Sequence, residues 1–167
     1  MPPMKRTKLI NDPAELVALF RSVDSPGRRA VLARLAEGWT PTSERQEMED
    51  AFSAITYFEK FKLVESRWEV RDGKPEKAYR TFYNAFQIST SLSFEETQEL
   101  LTVVLMDEAV FEALEVKILE MVGEEGCFAN DISRELELTS LQLKGLVRRS
   151  VQFDYKGHNI VPIKEEK

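Results

Sequence analysis

The residues of this chain best equipped for chemistry are cations. The stretch VESRWEVRDGKPEKAYRTFY, positions 64 to 83, holds Arg67, Arg71, Lys74, Lys77 and Arg80 against Glu69, Asp72 and Glu76. Each cation that meets a phosphate releases counterions, so the set could give salt-dependent affinity for a polyanion. The same charges could equally shield the edge of a hairpin from aggregation. A second set, Lys144, Arg148 and Arg149 with Lys156, lies near the C-terminus. These cations could meet phosphates, or they could complement the C-terminal dipole of the helix that carries them. Covalent chemistry finds little support: there is no Gly-rich phosphate loop, no His-Glu-x-x-His and no nucleophile with a histidine nearby. Cys127 and His158 are the single cysteine and histidine. They read as a small buried apolar residue and a surface turn residue. One cysteine makes no intrachain disulfide and no cysteine cluster for a metal.

Composition sets the frame for these residues. The chain has 167 residues, 43% of them apolar, and a net charge of −6, consistent with a packed core rather than disorder. No apolar run approaches the length needed to span a bilayer. The start, MPPMKRTKLI, has basic residues without an apolar stretch after them, so no secretory signal is expected. A soluble cytoplasmic protein is the expectation. Charge is unevenly placed: residues 91 to 138 carry two basic and thirteen acidic side chains, whereas residues 139 to 167 carry six basic and three acidic. Because a nucleic-acid footprint is local, the global acidity does not exclude one.

The elements that must position the cations are well punctuated. In NDPAELVALFRSV, Asp12, Pro13 and Glu15 have the spacing of a helix cap, first-turn proline and capping-box acid. Ser25-Pro26 repeats the cap, Val31, Leu32 and Leu35 share a face, and Gly38 closes the helix. TPTSERQEME starts a polar third helix at Thr40-Pro41. DAFSAITYFEKFKLV gives a fourth, with Phe52, Ile55 and Phe58 on one face. Then the period becomes two, and Asp72-Gly73 predicts a hairpin. The second half opens on a capping box at Ser93 and Glu96. A stripe of Val110, Leu114, Ile118 and Met121 follows, then a short helix in FANDISRELEL. Another capping box, Thr139 and Gln142, starts the next helix, and a hairpin turns near Lys156-Gly157. The expected fold is mainly α with small β-hairpins. Its order of helix, short helix, capped helix and hairpin occurs twice, in domains 1–90 and 91–167.

DSPGRRAVLARLAEG, followed by a helix that exits through FKLVESRWEVRDGKPEKAYR, resembles the winged helix-turn-helix of ArsR-type regulators, especially their archaeal branch, over about residues 12 to 90. Those proteins show a Ser-Pro-x-Arg helix start, a Gly-Leu-Val-Glu exit and a Gly-Lys-Pro wing followed by Ala-Tyr. DISRELELTSLQLKGLVRRSV is similar to a generic winged-helix core, so the resemblance implies a tandem winged helix-turn-helix. It also implies a transcription regulator that binds double-stranded DNA as a homodimer. Metal-sensing members carry paired cysteines, or a histidine and an aspartate in the last helix. With only Cys127 and His158 here, no metal cofactor is expected. Lys62 stands where the family has its exit glycine.

A winged helix lays one helix in the major groove and its wing along the backbone. The resemblance puts that helix at about 50 to 62, with Ser53, Thr56, Tyr57 and Lys60 facing out toward base edges or phosphates. Arg67, Arg71, Lys74 and Lys77 would be the wing contacts, and Lys144, Arg148 and Arg149 a possible second contact. Phe82, Tyr83 and Phe86 read as packing behind the wing. Leu16, Val17 and Phe20, with Leu100, Val103 and Val104, are more apolar than one small module can cover and predict a dimer seam. The competing reading is a winged-helix interaction or assembly module without DNA binding, which the acidic middle favours.

Overall fold

The computed structural model describes residues 6–45 and 51–164. The chain divides into two compact units. The first is Met1–Asn11 with Leu19–Ser89, and the second is Asp12–Ala18 with Thr90–Lys167.

The first unit begins with β1 (Thr7–Ile10), and α1 (Glu15–Ser22) contributes its second half. Next come α2 (Pro26–Ala36), β2 (Thr40–Pro41), α3 (Thr42–Arg45) and α4 (Ala51–Lys60). The hairpin β3 (Val64–Arg71) and β4 (Lys74–Thr81) leads into β5 (Ala85–Ile88). Helix α2 starts as its sequence predicts: the Ser25 hydroxyl accepts from the Arg28 N–H at 3.1 Å, and Pro26 spends no donor there. Strand β4 is central, with β2 and β3 antiparallel on either side. Arg71 pairs with Lys74 across a two-residue turn in which Asp72 and Gly73 both have positive φ, 51° and 76°. That is the type I′ geometry which matches strand twist. Val31, Leu35, Ala54, Ile55, Phe58, Leu63 and Ala78 are buried in this unit. Helix α4 ends without a glycine: Lys62 sits at φ 61°, and Leu63 N–H bonds back to the Phe58 carbonyl at 2.9 Å.

The second unit holds α5 (Phe94–Val104), α6 (Glu108–Val122), β6 (Cys127–Phe128), α7 (Ala129–Glu135), α8 (Ser140–Arg149), β7 (Phe153–Lys156) and β8 (Asn159–Pro162). Two of the three predicted capping boxes form, Ser93 with Glu96 and Thr139 with Gln142, whereas α1 starts only at Glu15 and Asp12 accepts from the Ala14 N–H instead. Each box that forms satisfies two amides that the first helical turn would leave unbonded. The sheet order is β6-β8-β7, and the hairpin turns at Gly157-His158. Val17, Leu100, Val103, Phe111, Ile118, Ile132, Leu143, Leu146, Phe153 and Ile160 make one apolar core. A Cβ on Gly126 would stand 2.8 Å from Val161 Cγ1 and 3.0 Å from the Ile160 carbonyl oxygen, so β8 runs against a bare backbone there.

Several expectations change. The architecture is mixed α/β, about half helical, rather than mainly α. Strands β1 and β5 pair in parallel, and short β2 and β6 each add to a hairpin. Segments of two to four residues carry too little alternation to announce themselves. Thr40-Pro41 is strand β2 and not a helix start. Of the third helix only α3 is described, and residues 46–50 lie outside the described residues. Five of the six residues of the predicted dimer seam are used inside the second unit, where Val17, Leu100 and Val103 are core and Leu16 and Val104 pack against it, whereas Phe20 is 46% exposed. Val110 is exposed and Phe111 takes its place inside. Glu115 shares the inward face, where its carboxylate accepts from the Ser150 hydroxyl and from Gln152 Nε2.

Candidate nucleic-acid interface

Helix α4 buries Ala51, Ala54, Ile55, Tyr57 and Phe58. Ser53 and Thr56 are exposed, as their sequence positions predict, and Lys60 is half-buried at the last turn. Tyr57 is a correction, because it is only 2% exposed. The guanidinium of Arg28 lies over its ring at 4.5 Å, and the ring closes the gap between α4 and α2. Phe52 is the converse correction at 69% exposed. Residues 52 and 57 flank the buried stripe on opposite sides, and a helical pattern alone does not say which side faces in. The Thr56 hydroxyl donates to the Phe52 carbonyl at 3.0 Å, a bond that leaves its oxygen able to accept.

The hairpin sorts its cations by face. Strand register puts Glu65, Arg67, Glu69 and Arg71 on one side with Lys74, Glu76, Ala78 and Arg80. There Arg67 donates to Glu69 Oε1 through Nε and Nη2, at 2.9 and 2.6 Å. Arg80 pairs with Glu65. The guanidinium groups of Arg67 and Arg80 both lie over the Trp39 ring, at 4.1 and 4.5 Å. These two cations therefore hold the base of the hairpin. Nearer the turn the ion pairing is looser, with Arg71 Nε 3.9 Å from Glu69 Oε2 and Lys74 exposed. Glu76 accepts from the Ser43 hydroxyl and N–H, which holds its carboxyl below the usual range, with Arg71 adding a smaller pull. Lys77 is half-buried with its ammonium 5.7 Å from the Tyr79 ring centre. Arg71, Lys74 and Lys77 line one open cleft with Trp68, Thr42 and Ser43. Trp68 and Val70, on the other side of β3, are 70% and 76% exposed.

Sequence reading missed Trp39. Its signal was available, because a two-residue turn at Asp72-Gly73 puts Arg67 and Arg80 on the same side of the hairpin. Phe82 and Tyr83 meet edge to face at 4.9 Å, with Arg6 over the Phe82 ring at 4.4 Å.

In the second unit the three basic candidates separate. Lys144 is exposed and Arg148 is half-buried, both at a cavity. Arg149 is a correction: its side chain is 1% exposed. Through Nη1 it donates to the Val103 and Met106 carbonyls, each at 2.8 Å, and through Nη2 to Glu108 at 3.1 Å. The guanidinium also covers the Phe111 ring at 4.3 Å. It caps the C-terminal end of α5 and has no face for DNA.

Among the described residues, no three His, Cys, Asp or Glu side chains gather as a metal site requires. Among them, too, no helix is long and apolar enough to cross a membrane. No curated protein is significantly similar to the chain. The sequence model of one family, described as ArsR transcriptional regulator, matches residues 10–164, nearly the whole chain, and on that match the chain belongs to the ArsR transcriptional regulator family.

Proposed function

We propose that this regulator binds duplex DNA through a winged helix-turn-helix in its first unit, and that its second unit is another winged-helix module. The tandem reading is supported by equivalent orders. A helix, a two-residue strand, a short helix, a capped or recognition helix and a hairpin follow one another in α2-β2-α3-α4-β3-β4 and in α6-β6-α7-α8-β7-β8. In each sheet the short strand pairs with the second hairpin strand. Helix α4 is then the recognition helix, with Ser53, Thr56 and Lys60 toward base edges or nearby phosphates. Arg71 and Lys74 are the principal wing contacts. Arg67 and Lys77, already engaged with Glu69 and Tyr79, add less. Tyr57 is withdrawn from the interface.

The observation that carries this reading is the pair of exposed cations opposed at the wing tip, in a unit whose α4 turns two hydroxyls outward. The test is duplex binding by fluorescence anisotropy across a salt series, for the wild type and for the double variant Arg71→Glu, Lys74→Glu. Two lost phosphate contacts lower the slope of log K against log salt by about 2. An unchanged slope removes the wing from the interface, and failure to bind any duplex at low salt removes the DNA reading.

A two-fold homodimer in the cytoplasm, where it meets the genome, completes the proposal. Phe94 and Leu101 of α5 and its C-cap residue Leu105 are exposed at i, i+7 and i+11, one face of the helix, and we assign that face to the second copy. Sedimentation of the wild type as a monomer at micromolar concentration overturns it. The same apolar face within an acidic segment supports the second reading, a docking module for another protein, which requires no duplex binding at any salt.

A further inference from the structure

One cavity, of about 410 Å³, lies wholly within the second unit. One wall is the face of α8 that carries Ser140, Lys144 and Arg148, spaced four residues apart. Opposite stand Asn130 and Ser133 of α7, and the hairpin closes the rest with Tyr155 and the Gly157-His158 turn. Donors dominate this lining: an ammonium, a guanidinium, a carboxamide and two serine hydroxyls. The Tyr155 phenol is a donor too, since burial pushes it up to about 12. One carboxylate is present, that of Asp12, and its Oδ1 already accepts from the Ala14 N–H at 3.0 Å. The cavity thus collects positive charge within a unit whose residues 91 to 138 are strongly acidic. A concave site of one sign focuses the field on an oppositely charged ligand. The lining also has an aromatic corner, where the Phe128 and His158 rings meet edge to face at 6.5 Å beside Leu143.

From this geometry we infer that the cavity is a receptor site for a small organic anion, a carboxylate or phosphate carried on a single flat ring. Lys144 and Arg148 hold the charged head, and Phe128 and His158 lie along the ring. The volume is near the lower end of small-molecule sites, about 300–1,000 Å³, which suits one ring and excludes a dinucleotide. The inference is independent of the DNA reading, because it concerns cations that the wing does not use.

His158 is the only histidine in the chain, so its imidazole NMR signals report on this cavity alone. The full-length protein is titrated at constant ionic strength with phenyl phosphate, benzoate and inorganic phosphate, and duplex binding is measured alongside. Phenyl phosphate or benzoate is expected to move the His158 signals saturably. Lys144→Gln and Arg148→Gln should each weaken that binding about tenfold, the scale of one charged contact, whereas Lys164→Gln, at an exposed position, should leave it unchanged. Inorganic phosphate should bind much more weakly than phenyl phosphate, since it lacks the ring. Linear shifts without saturation, or equal weakening by all three variants, overturn the site. Equal affinity for phosphate and phenyl phosphate overturns the ring. If Lys144→Gln weakens duplex binding and leaves the small anions untouched, the cations belong to a nucleic-acid surface and the inference fails.

Discussion

Replacing Arg149 by alanine should destabilise the second unit far more than a change at a helix C-terminus ordinarily does. The guanidinium makes two bonds to carbonyls at 2.8 Å, at the end of α5 and in the corner that follows. Hydrogen bonds to charged groups contribute about 1.5–3 kcal/mol each. The Glu108 pair adds little, roughly 0.5 kcal/mol, because that carboxylate is 62% exposed and well solvated. Packing over Phe111 contributes about 1 kcal/mol in a desolvated setting. Water entering the vacated space recovers part of the carbonyl loss, so the net expectation is about 3–4 kcal/mol. With an m-value of about 2 kcal/mol/M in urea, the midpoint of the second unit's transition falls by roughly 1.5–2 M. Far-ultraviolet circular dichroism is the suitable probe. Arg148→Ala, one residue away and half-exposed, should shift the midpoint little. Arg149→Lys should recover less than half, because an ammonium lacks the planar fork that meets both carbonyls and Glu108. A midpoint for Arg149→Ala within 0.3 M (roughly the noise of such fits) of the wild type would refute the capping role. So would a loss of duplex affinity in the still-folded variant as large as that of the wing variants.

Three further outcomes are expected. Lys62→Gly and Glu137→Gly relieve left-handed backbone at φ 61° and 54°, each stabilising by about 0.5–1 kcal/mol after the extra unfolded-state entropy of glycine, as urea midpoints will show. Changing Lys60, Arg71 and Lys74 together to Ala should cost at least tenfold more duplex affinity than changing Lys144 and Arg148, about one decade per lost wing contact at moderate salt; the reverse order transfers the interface to the second unit. The Glu76 carboxyl is held below its ordinary 4.5 by Ser43, so its contribution is complete above that pH and is lost as the pH falls through the lowered value; Ser43→Ala and Glu76→Gln should both flatten acid unfolding of the first unit below about pH 4.5.

What the sequence made legible was local. The caps at Ser25, Ser93 and Thr139 bond to amides three residues away, and the Asp72-Gly73 turn needs only its own backbone. These features form wherever their few residues stand together. What stayed hidden was long-range or degenerate. Arg149 reads like any cation in a last helical turn, and its acceptors lie 46 and 43 residues away. Strand β1 finds β5 across 78 positions, with four residues of pattern on each side. On α4, Phe52 and Tyr57 occupy the two margins of one stripe. The ring that turned inward was the one with a guanidinium waiting on α2. The hairpin cations were visible as a set, but their division into a braced base around Trp39 and an open tip at Arg71 and Lys74 required the register.

Helix α1 is divided between the two units, and that division bears on how the chain is made. Val17 leaves the ribosome well ahead of most of its unit, yet it is fully buried in one core with Leu143 and Leu146. Those partners emerge some 130 residues later, roughly 6–26 s at about 5–20 residues per second. The first unit, by contrast, has all its residues once position 89 is out. Vectorial synthesis therefore completes one unit while the other still waits with its opening apolar turn uncovered. Cutting the gene between them would strand Val17 on the wrong product.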